Sequence, residues 1–462
     1  MRLPDRPPFL LRARVLTPLA DGGTADFPDG VVSVDVAGRI DWVGGADEWL
    51  ARPPDTPAID GVATDADRAF DEPIDLRPLV LLPGMVDLHA HLPQLPNAGL
   101  GFGLDLLTWL DRYIFPLERR FDRVEDAERL APAAFRAFAA AGTTTVLAYG
   151  AVYKASMEGA FRAAEAHGIR AILGKVMMDR LTYDETIDPT TILDRSLRES
   201  AELIEAWHGR DHGRLGYAVT PRFAVSCSAE MLRESAALAA QTGTWWQTHV
   251  SEDPGEIQEV ARLFPEARDY VDVYDRAGGL GPRAILAHAV HLSADELARL
   301  VATDSRVAHC PASNLFLASG VMPLARYLEA GLGVGLGSDV AGGPDPSMFS
   351  VMRIGAYAQV ALQRLAGETR PLLTPPDWLR LGTLDGARVL GLDDQIGSLE
   401  PGKQADMIVV DPRMTVAHRG LPYDSTRVAP EEVMSRLIFR AHPDKVRGAW
   451  VRGRRLEGPA AD

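Results

Sequence analysis

Short apolar runs bounded by turn residues recur along the chain after residue 80, and this pattern predicts strands. Eight segments share it: 81–91, 143–150, 170–178, 214–223, 244–252, 283–292, 306–314 and 333–340. Helical patterns lie between most of them, and those of 127–142 and 228–243 each end on a glycine suited to a helix C-terminus. Strands that alternate with helices predict a parallel sheet, and eight such units predict a (β/α)₈ barrel of the TIM type.

The two ends of the chain show a different pattern, made of strand-like pieces with few helical segments. The N-terminal pieces are LLRARVLTP, VVSVDVAG and RIDWVGG, and the C-terminal ones are ADMIVVD and VRGAWVRGRRLE. Each end alone is too small to bury a core, so both together are expected to form one β-sandwich-like domain. The predicted boundaries are 1–78 and 396–462 for this domain and 79–395 for the barrel.

Composition narrows the possible classes of protein. The chain has 462 residues, 46% of them hydrophobic, which suffices for a large core and a second smaller unit. A net charge of −16 disfavours a nucleic-acid surface, which needs clustered Lys and Arg. The two cysteines, Cys227 and Cys310, are too few for a disulfide framework or a cysteine-ligated zinc deaminase. No run reaches transmembrane length or resembles a signal peptide, so a cytoplasmic protein without membrane contact is expected.

Candidate chemistry begins at the end of the first predicted barrel strand, where His89 and His91 stand two residues apart. Side chains alternate along a strand, so this spacing places both imidazoles on one face. Such a pair is consistent either with a metal site or with two ordinary histidines on a half-exposed strand. The pair alone does not decide between them.

Three further ligand-type residues end other strand-like segments: His249, His288 and Asp339. In a (β/α)₈ barrel the chemistry gathers at the carboxyl ends of the strands, so all five side chains are expected at one place. Neutral imidazole and carboxylate suit Zn²⁺ or Fe²⁺, with zinc favoured. A site that leaves one position open for water is catalytic.

The segment from Leu92 to Phe121 is a long and unusually apolar connection between the first strand and its helix. Long ordered loops in compact domains are often lids or binding loops. Trp109 and Phe115 are therefore candidates for covering the site, and a core or interface position is the equal alternative.

Several of these motifs resemble the amidohydrolase superfamily, in its mononuclear deaminase and chlorohydrolase branch. The motifs are PGMVDLHAH (83–91), HVSE (249–252), LAHAVHLSADE (286–296), HCPASN (309–314) and GLGSDVAGG (335–343). Within that branch, HLPQ, LLTWLDRYIFPLERRF, LGKVMMD and VTPRFAVSCS resemble the guanine deaminases. The likeness runs from about residue 80 to the C-terminus.

The resemblance implies roles for individual residues. His89, His91, His249 and Asp339 match the metal ligands, and His288 matches a histidine that binds the metal directly or through solvent. Binuclear relatives carry a lysine at the end of strand four, where this chain has Arg222, so one divalent metal per chain is expected. Lys175 is expected to be structural or salt-bridged.

The implied reaction is hydrolysis of guanine to xanthine and ammonia, in which water activated by the metal attacks C2. Glu252, three residues after His249, matches the proton shuttle of the family. One carboxyl group can protonate the ring nitrogen and then deliver a proton to the departing amino group. Asp339 would accept the first proton from the water, with His288 beside it.

Guanine recognition needs donors for O6 and N7, a partner for the amidine edge and a flat apolar wall. An arginine fork matches O6 and N7, so Arg222 is the candidate donor, and a structural arginine paired with an acid is its alternative. Phe223 is the candidate wall, Gln94 the partner for the other edge, and Trp109 a further substrate contact.

Some positions depart from the guanine deaminase pattern or leave alternatives open. Ala312 stands where an Asn is usual and His291 where an aromatic is common, while His309 and Asn314 are expected to shape the pocket at strand seven. The alternatives are a deaminase of another amino-heterocycle, such as a pterin, 8-oxoguanine or a triazine, and a non-catalytic scaffold. Partners other than a small purine and a second copy in a homodimer are not expected.

Overall fold

The structure is a computed structural model of the chain. It describes residues 3–52, 72–182, 187–416, 423–440 and 442–458. Two parts of the predicted N-terminal segment 1–78, residues 1–2 and 53–71, lie outside the described residues.

Eight parallel strands form the predicted barrel, and each contains part of one predicted segment. They are β5 (Met85–His91), β6 (Thr143–Tyr149), β7 (Arg170–Gly174), β9 (Leu215–Pro221), β10 (Trp245–Val250), β11 (Ala284–His288), β12 (Arg306–His309) and β13 (Gly333–Leu336). Their order around the sheet follows the chain from β5 to β13, and a two-residue strand, β8 (Val176–Met177), pairs with β9. The predicted fold class is therefore confirmed.

The barrel is nearly closed, because backbone hydrogen bonds also join its first strand to the segment after its last. The amide of Asp339 donates to the carbonyl of His89 at 2.7 Å, and that of His91 donates to Val340 at 2.9 Å. The neighbouring pair β10 and β11 is in parallel register, with Val250 opposite His288. The predicted ligand residues therefore lie at the same end of the barrel.

Helices connect the strands, as the patterns between them predicted. In the described residues the α-helices are α1 (Ala46–Leu50), α2 (Leu106–Trp109), α3 (Phe115–Glu118), α4 (Val124–Ala141), α5 (Lys154–His167), α6 (Pro189–Trp207), α7 (Arg210–Gly213), α8 (Ala229–Thr242), α9 (Pro254–Leu263), α10 (Tyr270–Arg276), α11 (Ala294–Ala302), α12 (Pro311–Phe316), α13 (Leu324–Glu329), α14 (Met348–Leu365), α15 (Pro375–Leu381), α16 (Leu384–Leu390) and α17 (Pro430–Phe439). The glycines that follow α4 and α8 have positive φ, as predicted for helix ends.

The segment from Leu92 to Phe121 is not the long loop that the sequence suggested. It consists of a 3₁₀ helix (Leu92–Asn97), α2, a π-helical turn (Leu110–Ile114), α3 and a second 3₁₀ helix (Arg119–Asp122). The side chain of Asp105 caps α2 by accepting from the amide of Thr108. These short turns were missed because each is shorter than the window over which helical periodicity can be recognised.

The two chain ends together form the predicted β-domain, built around one seven-stranded sheet. Its strands are β1 (Phe9–Pro18), β2 (Thr24–Val34), β3 (Ile40–Gly45), β4 (Ile74–Pro83), β14 (Met407–Val410), β15 (Val446–Val451) and β16 (Arg454–Arg455), in the order β16-β15-β14-β4-β1-β2-β3. The pairing of β14 with β4 joins the two ends of the chain. Alternate side chains of several strands enter one apolar cluster, which includes Leu11, Leu81, Val409 and Trp450.

By contacts between Cα atoms the chain separates into two compact units. One comprises Met1–Val86, Arg136–Thr144 and Thr374–Asp462, and the other Asp87–Phe135 and Thr145–Leu373. The boundaries predicted after residues 78 and 395 stay predictions. None of the helices in the described ranges combines the length and apolar character that crossing a membrane requires.

Candidate active site

Five ligand-type side chains meet at the carboxyl ends of the barrel strands. His89 and His91 lie at the end of β5, His249 in β10, His288 at the end of β11, and Asp339 three residues after β13. All five are buried. Because the strands are parallel and their ends are level, residues from four distant parts of the chain reach one point. The prediction that they gather is confirmed.

The donor atoms of four of these residues stand at nearly equal separations. Nε2 of His91 lies 3.2 Å from Nε2 of His89 and 3.3 Å from Nε2 of His249. Oδ1 of Asp339 lies 3.1 Å from Nε2 of His89 and 3.2 Å from that of His91. Donors about 2.0–2.1 Å from a tetrahedral ion stand about 3.3 Å apart, so this group fits a divalent metal.

His288 lies at the edge of this group. It joins His89 and Asp339 in a second set of possible ligand atoms, all within 4.8 Å of one another. Its Nε2 is 3.9 Å from Oδ2 of Asp339 and 3.3 Å from Oε2 of Glu252. His288 therefore stands between the metal-type group and the acid Glu252, a position from which it can contact either.

Neighbouring groups fix the orientation of two of the imidazoles. Nδ1 of His249 donates to the carbonyl of Arg222 at 2.6 Å, and Nδ1 of His288 donates to Oδ1 of Asn314 at 2.8 Å. In both rings the proton is on Nδ1, so the lone pair of Nε2 is directed to the shared point. Burial lowers the pKa of His249 well below its usual value and that of His288 to about 4, which favours the neutral, metal-binding form.

Two of the predicted ligand residues have positive φ, a backbone conformation that residues other than glycine rarely adopt. φ is 74° at His288 and 49° at Asp339. Here the chain leaves the extended conformation, which is why the predicted strands 283–292 and 333–340 are longer than the strands in the structure. Residues held at positive φ cost of order 1–3 kcal/mol and concentrate at functional sites.

Glu252 is buried beside these ligand-type residues. Its side chain is 2% exposed, and its Oε1 accepts from Oγ of Ser319 at 3.4 Å. Burial and the nearby carboxylate of Asp339 raise the pKa of Glu252 well above its usual value. A carboxyl group with a raised pKa can hold a proton near neutral pH and release it to a bound molecule.

A buried network that sequence reasoning missed holds the backbone of Glu252. Oε2 of Glu256 accepts from the amides of Glu252 at 2.9 Å and Asp253 at 3.2 Å. The hydroxyl of Tyr270 donates to Oε1 of Glu256 at 2.7 Å. Asp253 and Glu256 form a capping box at the start of α9. The DxxE spacing that predicts such a box was present in the sequence.

A pocket opens onto this cluster. It is lined by polar and apolar side chains from both the strand ends and the segment after β5: His91, Gln94, Leu106, Trp109, Leu110, Arg222, Phe223, His249, Glu252, His288, Leu317 and Asp339. The mixture of apolar walls with a few polar groups is typical of a ligand site. All four predicted substrate contacts line it, namely Gln94, Trp109, Arg222 and Phe223.

Both proposed alternatives for Arg222 describe part of what is observed, since the arginine lines the pocket and is also paired with an acid. Its Nη1 lies 2.6 Å from Oε2 of Glu118, and both side chains are buried. Gln94 donates from Nε2 to Oε1 of the same carboxylate at 2.7 Å. Sequence reasoning gave Glu118 no role, although it stands within LLTWLDRYIFPLERRF.

The two aromatic residues proposed as covers have different positions. Trp109 lines the pocket, is 3% exposed and donates from its indole nitrogen to the carbonyl of Leu100 at 2.9 Å. Phe115 instead packs beneath the guanidinium of Arg222, whose Cζ is 5.2 Å from the ring centroid. Trp109 is thus a pocket wall and Phe115 a support for Arg222.

His309 and Asn314, which were expected to shape the pocket, are not among its lining residues. Asn314 belongs to α12, which begins at Pro311 shortly after β12, and from there its side chain accepts the hydrogen bond from Nδ1 of His288. Ala312 and His291, where the chain departs from the guanine deaminase pattern, also lie outside the lining.

A family model matches most of the chain. The model of the amidohydrolase family matches residues 80–456, which includes the barrel and the C-terminal strands. The chain belongs to the amidohydrolase family.

Several similar proteins within the amidohydrolase family are named guanine deaminases. A probable guanine deaminase of Deinococcus radiodurans is 39% identical over 434 residues, covering 92% of this chain and 92% of the relative. The guanine deaminase of Escherichia coli is 36% identical over 390 residues, covering 84% and 82%.

Solved structures of guanine deaminases also resemble this chain. The structure of the E. coli guanine deaminase matches with a TM-score of 0.85 at 32% identity, covering 97% of this chain and 99% of that one. A guanine deaminase from C. acetobutylicum with guanine bound in its active site also has a TM-score of 0.85, at 26% identity and the same coverage.

Proposed function

We propose that this chain catalyses the hydrolytic deamination of guanine to xanthine and ammonia. The observation that carries the proposal is the placement of Arg222 and Gln94 in the same pocket as a metal-type cluster and the buried acid Glu252. Similarity to guanine deaminases over most of the chain supports it. A non-catalytic scaffold is disfavoured, because this chain keeps every ligand-type residue and the acid.

The proposed cofactor is one divalent metal ion per chain, zinc or iron. His89, His91, His249 and Asp339 would hold it, with His288 adjacent, and the equal spacing of their donor atoms supports this assignment. Such an ion would supply a water molecule activated as a nucleophile near neutral pH. Elemental analysis of purified protein should return about one zinc or iron per chain by the ligand count. Two ions per chain would contradict the proposal.

The proposed proton transfers use two buried carboxyl groups. Asp339 takes the first proton from the water molecule, and Glu252 gives its own proton to the ring nitrogen. Glu252 then takes the proton of the hydroxyl added at C2 and passes it to the leaving amino group, so that the carbonyl forms as ammonia departs. The raised pKa of Glu252 supports this role, because a proton donor must hold its proton at the working pH. Nε2 of His288 lies 3.3 Å from Oε2 of Glu252, so this unprotonated nitrogen can accept a hydrogen bond from the carboxyl group while that group holds its proton.

The proposed binding mode uses the pocket walls in distinct ways. Arg222 donates to O6 and N7 of the purine, Gln94 contacts the amidine edge, and Phe223 supplies the flat wall. Trp109 closes the side formed by the segment after β5. This combination favours guanine over an aliphatic amide, since only a planar heterocycle both stacks on the flat wall and presents two polar edges.

The test is a panel of amino-heterocycles scored by ammonia release. Guanine, 8-oxoguanine, adenine, cytosine, a pterin and ammeline would be compared at equal concentration with metal-loaded protein. Guanine is expected to have the highest kcat/KM. Faster release from the pterin, the triazine or 8-oxoguanine would replace guanine by that heterocycle while keeping the same machinery. A homodimeric assembly and a cytoplasmic location stay predictions, and light scattering tests the first.

A further inference from the structure

A single buried carboxylate joins the two polar groups that face the purine in the proposed binding mode. Oε1 of Glu118 accepts from Nε2 of Gln94 at 2.7 Å, and Oε2 lies 2.6 Å from Nη1 of Arg222. Nη2 of Arg222 also approaches Oε1, at 3.4 Å. Glu118 itself is 0% exposed and is not a lining residue of the pocket. It therefore contacts the substrate-facing groups from behind.

This contact determines which end of the Gln94 amide faces the pocket. A carboxylate only accepts hydrogen bonds, so the group that Gln94 directs at Glu118 must be its NH₂. The carbonyl Oε1 of Gln94 is buried and has no hydrogen-bond partner among the residues that the structure describes. Since Gln94 lines the pocket, this oxygen is the atom it offers to a ligand. The pocket thus presents an acceptor at this position.

The same carboxylate changes the charge that a ligand meets at Arg222. A guanidinium is always protonated, and its partner Glu118 is buried beside it. The carboxylate behind Arg222 offsets the positive charge that Arg222 presents to the pocket, so a neutral ligand suits this side better than an anion. The ring of Phe115 also packs against the guanidinium of Arg222.

We propose that Glu118 is a positioning residue that sets the specificity of the pocket for a neutral ring with a carbonyl beside an N–H donor. The proposal rests on the proposed function, because it assumes that a purine edge meets Arg222 and Gln94. Glu118 acts through both: it aims the donors of Arg222 at the ring carbonyl and the acceptor of Gln94 at the ring N–H. Guanine and hypoxanthine carry this pattern, whereas adenine carries the reverse one.

The experiment measures binding rather than turnover. The dissociation constants of hypoxanthine and adenine, neither of which has an amino group at C2, are determined by calorimetry on the metal-loaded protein. The wild type should bind hypoxanthine at least about 10-fold more tightly than adenine, because adenine leaves the buried donors of Arg222 and the acceptor of Gln94 unpaired. In Glu118→Gln the new amide can pair with either orientation of the Gln94 amide. The ratio of the adenine dissociation constant to the hypoxanthine dissociation constant should therefore fall several-fold towards one.

A matched control separates this effect from a general disturbance. Glu296 is also buried, accepts backbone hydrogen bonds in the capping box of α11 and does not line the pocket, so Glu296→Gln should keep the wild-type ratio. In a Gln94→Ala background, Glu118→Gln should change the ratio far less, since its effect on the acceptor passes through Gln94. A second readout is the affinity for xanthine at alkaline pH, where xanthine is an anion. Glu118→Gln should raise the affinity for xanthine relative to the affinity for hypoxanthine.

Each outcome decides the proposal. A wild-type ratio near or below one overturns it even if Glu118→Gln does not fold, because the acceptor then does not face the ligand. A wild-type ratio retained in folded, metal-loaded Glu118→Gln also overturns it. If the ratios change as expected but no ammonia is released from guanine, the proposed function fails and the role of Glu118 in binding stands. If guanine is turned over but the ratio is unchanged, the proposed function stands and the role of Glu118 fails.

Discussion

The side-chain oxygen of Asn314 lies 2.8 Å from Nδ1 of His288, and this hydrogen bond fixes the direction in which the imidazole presents Nε2. Asn314 stands in α12 and His288 at the end of β11, so a helix after one strand orients a side chain from the preceding strand. Hydrogen bonds of this kind to metal-binding histidines fix the tautomer and raise the basicity of the ligand.

Replacing Asn314 therefore tests whether His288 contributes to metal binding. Asn314→Leu removes the acceptor and leaves the Nδ1 proton buried without a partner, so metal affinity should fall by roughly 10- to 100-fold. Competition with a chelator measures it. Asn314→Asp keeps an acceptor at the same place and should retain much more of the affinity. Equal affinities for the wild type and Asn314→Leu would indicate that His288 does not bind the metal.

Glu252→Gln keeps the size and most hydrogen-bonding capacity of the side chain but cannot transfer protons. Metal content should remain at the wild-type level, while kcat for guanine falls by on the order of 10² to 10⁴. Glu259→Gln, on the outer part of α9, is the matched control and should retain full turnover. Full activity in Glu252→Gln would move the proton shuttle to another group, with His288 the first to examine.

Arg222→Ala and Phe223→Ala should affect substrates in different ways. Arg222 reads the carbonyl edge, so its loss should lower kcat/KM for guanine far more than for 2-aminopurine, which lacks that carbonyl. Phe223 is a stacking wall that does not distinguish edges, so Phe223→Ala should lower kcat/KM for both by a similar factor, roughly 2- to 10-fold. Steady-state kinetics with both substrates measure the two ratios.

The structure makes Arg222 also a partner of Glu118, so its loss leaves a buried charge. Circular dichroism and metal content must therefore be checked before the kinetics of Arg222→Ala are interpreted. Unchanged guanine turnover in a folded Arg222→Ala protein would exclude the proposed contact with O6 and N7.

Lys175 gives a pH dependence of stability that is separate from the pocket. It is buried, with Nζ 3.4 Å from Oε2 of Glu199, which confirms the expected salt-bridged role. Burial lowers its pKa to about 8, whereas an unfolded lysine titrates near 10.4. At pH values between these two pKa values, the unfolded chain binds more protons than the folded chain. The stability of the folded state therefore rises with pH in this range.

Compared with Lys175→Met, the wild type should therefore gain on the order of 2 kcal/mol between pH 7.5 and pH 10. Urea denaturation at the two pH values measures the difference. Lys154, whose pKa is raised by its contact with Glu202, is the control. Compared with Lys154→Met, the wild type should show no such gain in stability. A difference between wild type and Lys175→Met that is independent of pH would mean that Lys175 keeps its proton throughout.

The sequence alone determined the barrel and the positions of its five ligand-type residues. Apolar runs and their turn residues are local features, and the alternation of side chains along a strand puts His89 and His91 on one face. Once eight strands are assigned to a parallel barrel, topology brings their carboxyl ends together, so His249, His288 and Asp339 could be added without any knowledge of distances.

Only the tertiary structure decided how the pocket around these residues is built. Glu118 and Arg222 are separated by 104 residues and lie in a short helix and at a strand end, and no periodicity predicts their contact. The same holds for Asn314, which acts on a residue 26 positions earlier because the chain turns into a helix after β12. A strand pattern fixes the face on which a side chain lies, but the partner of a buried charge depends on which distant segments pack together, and that is a property of the whole fold.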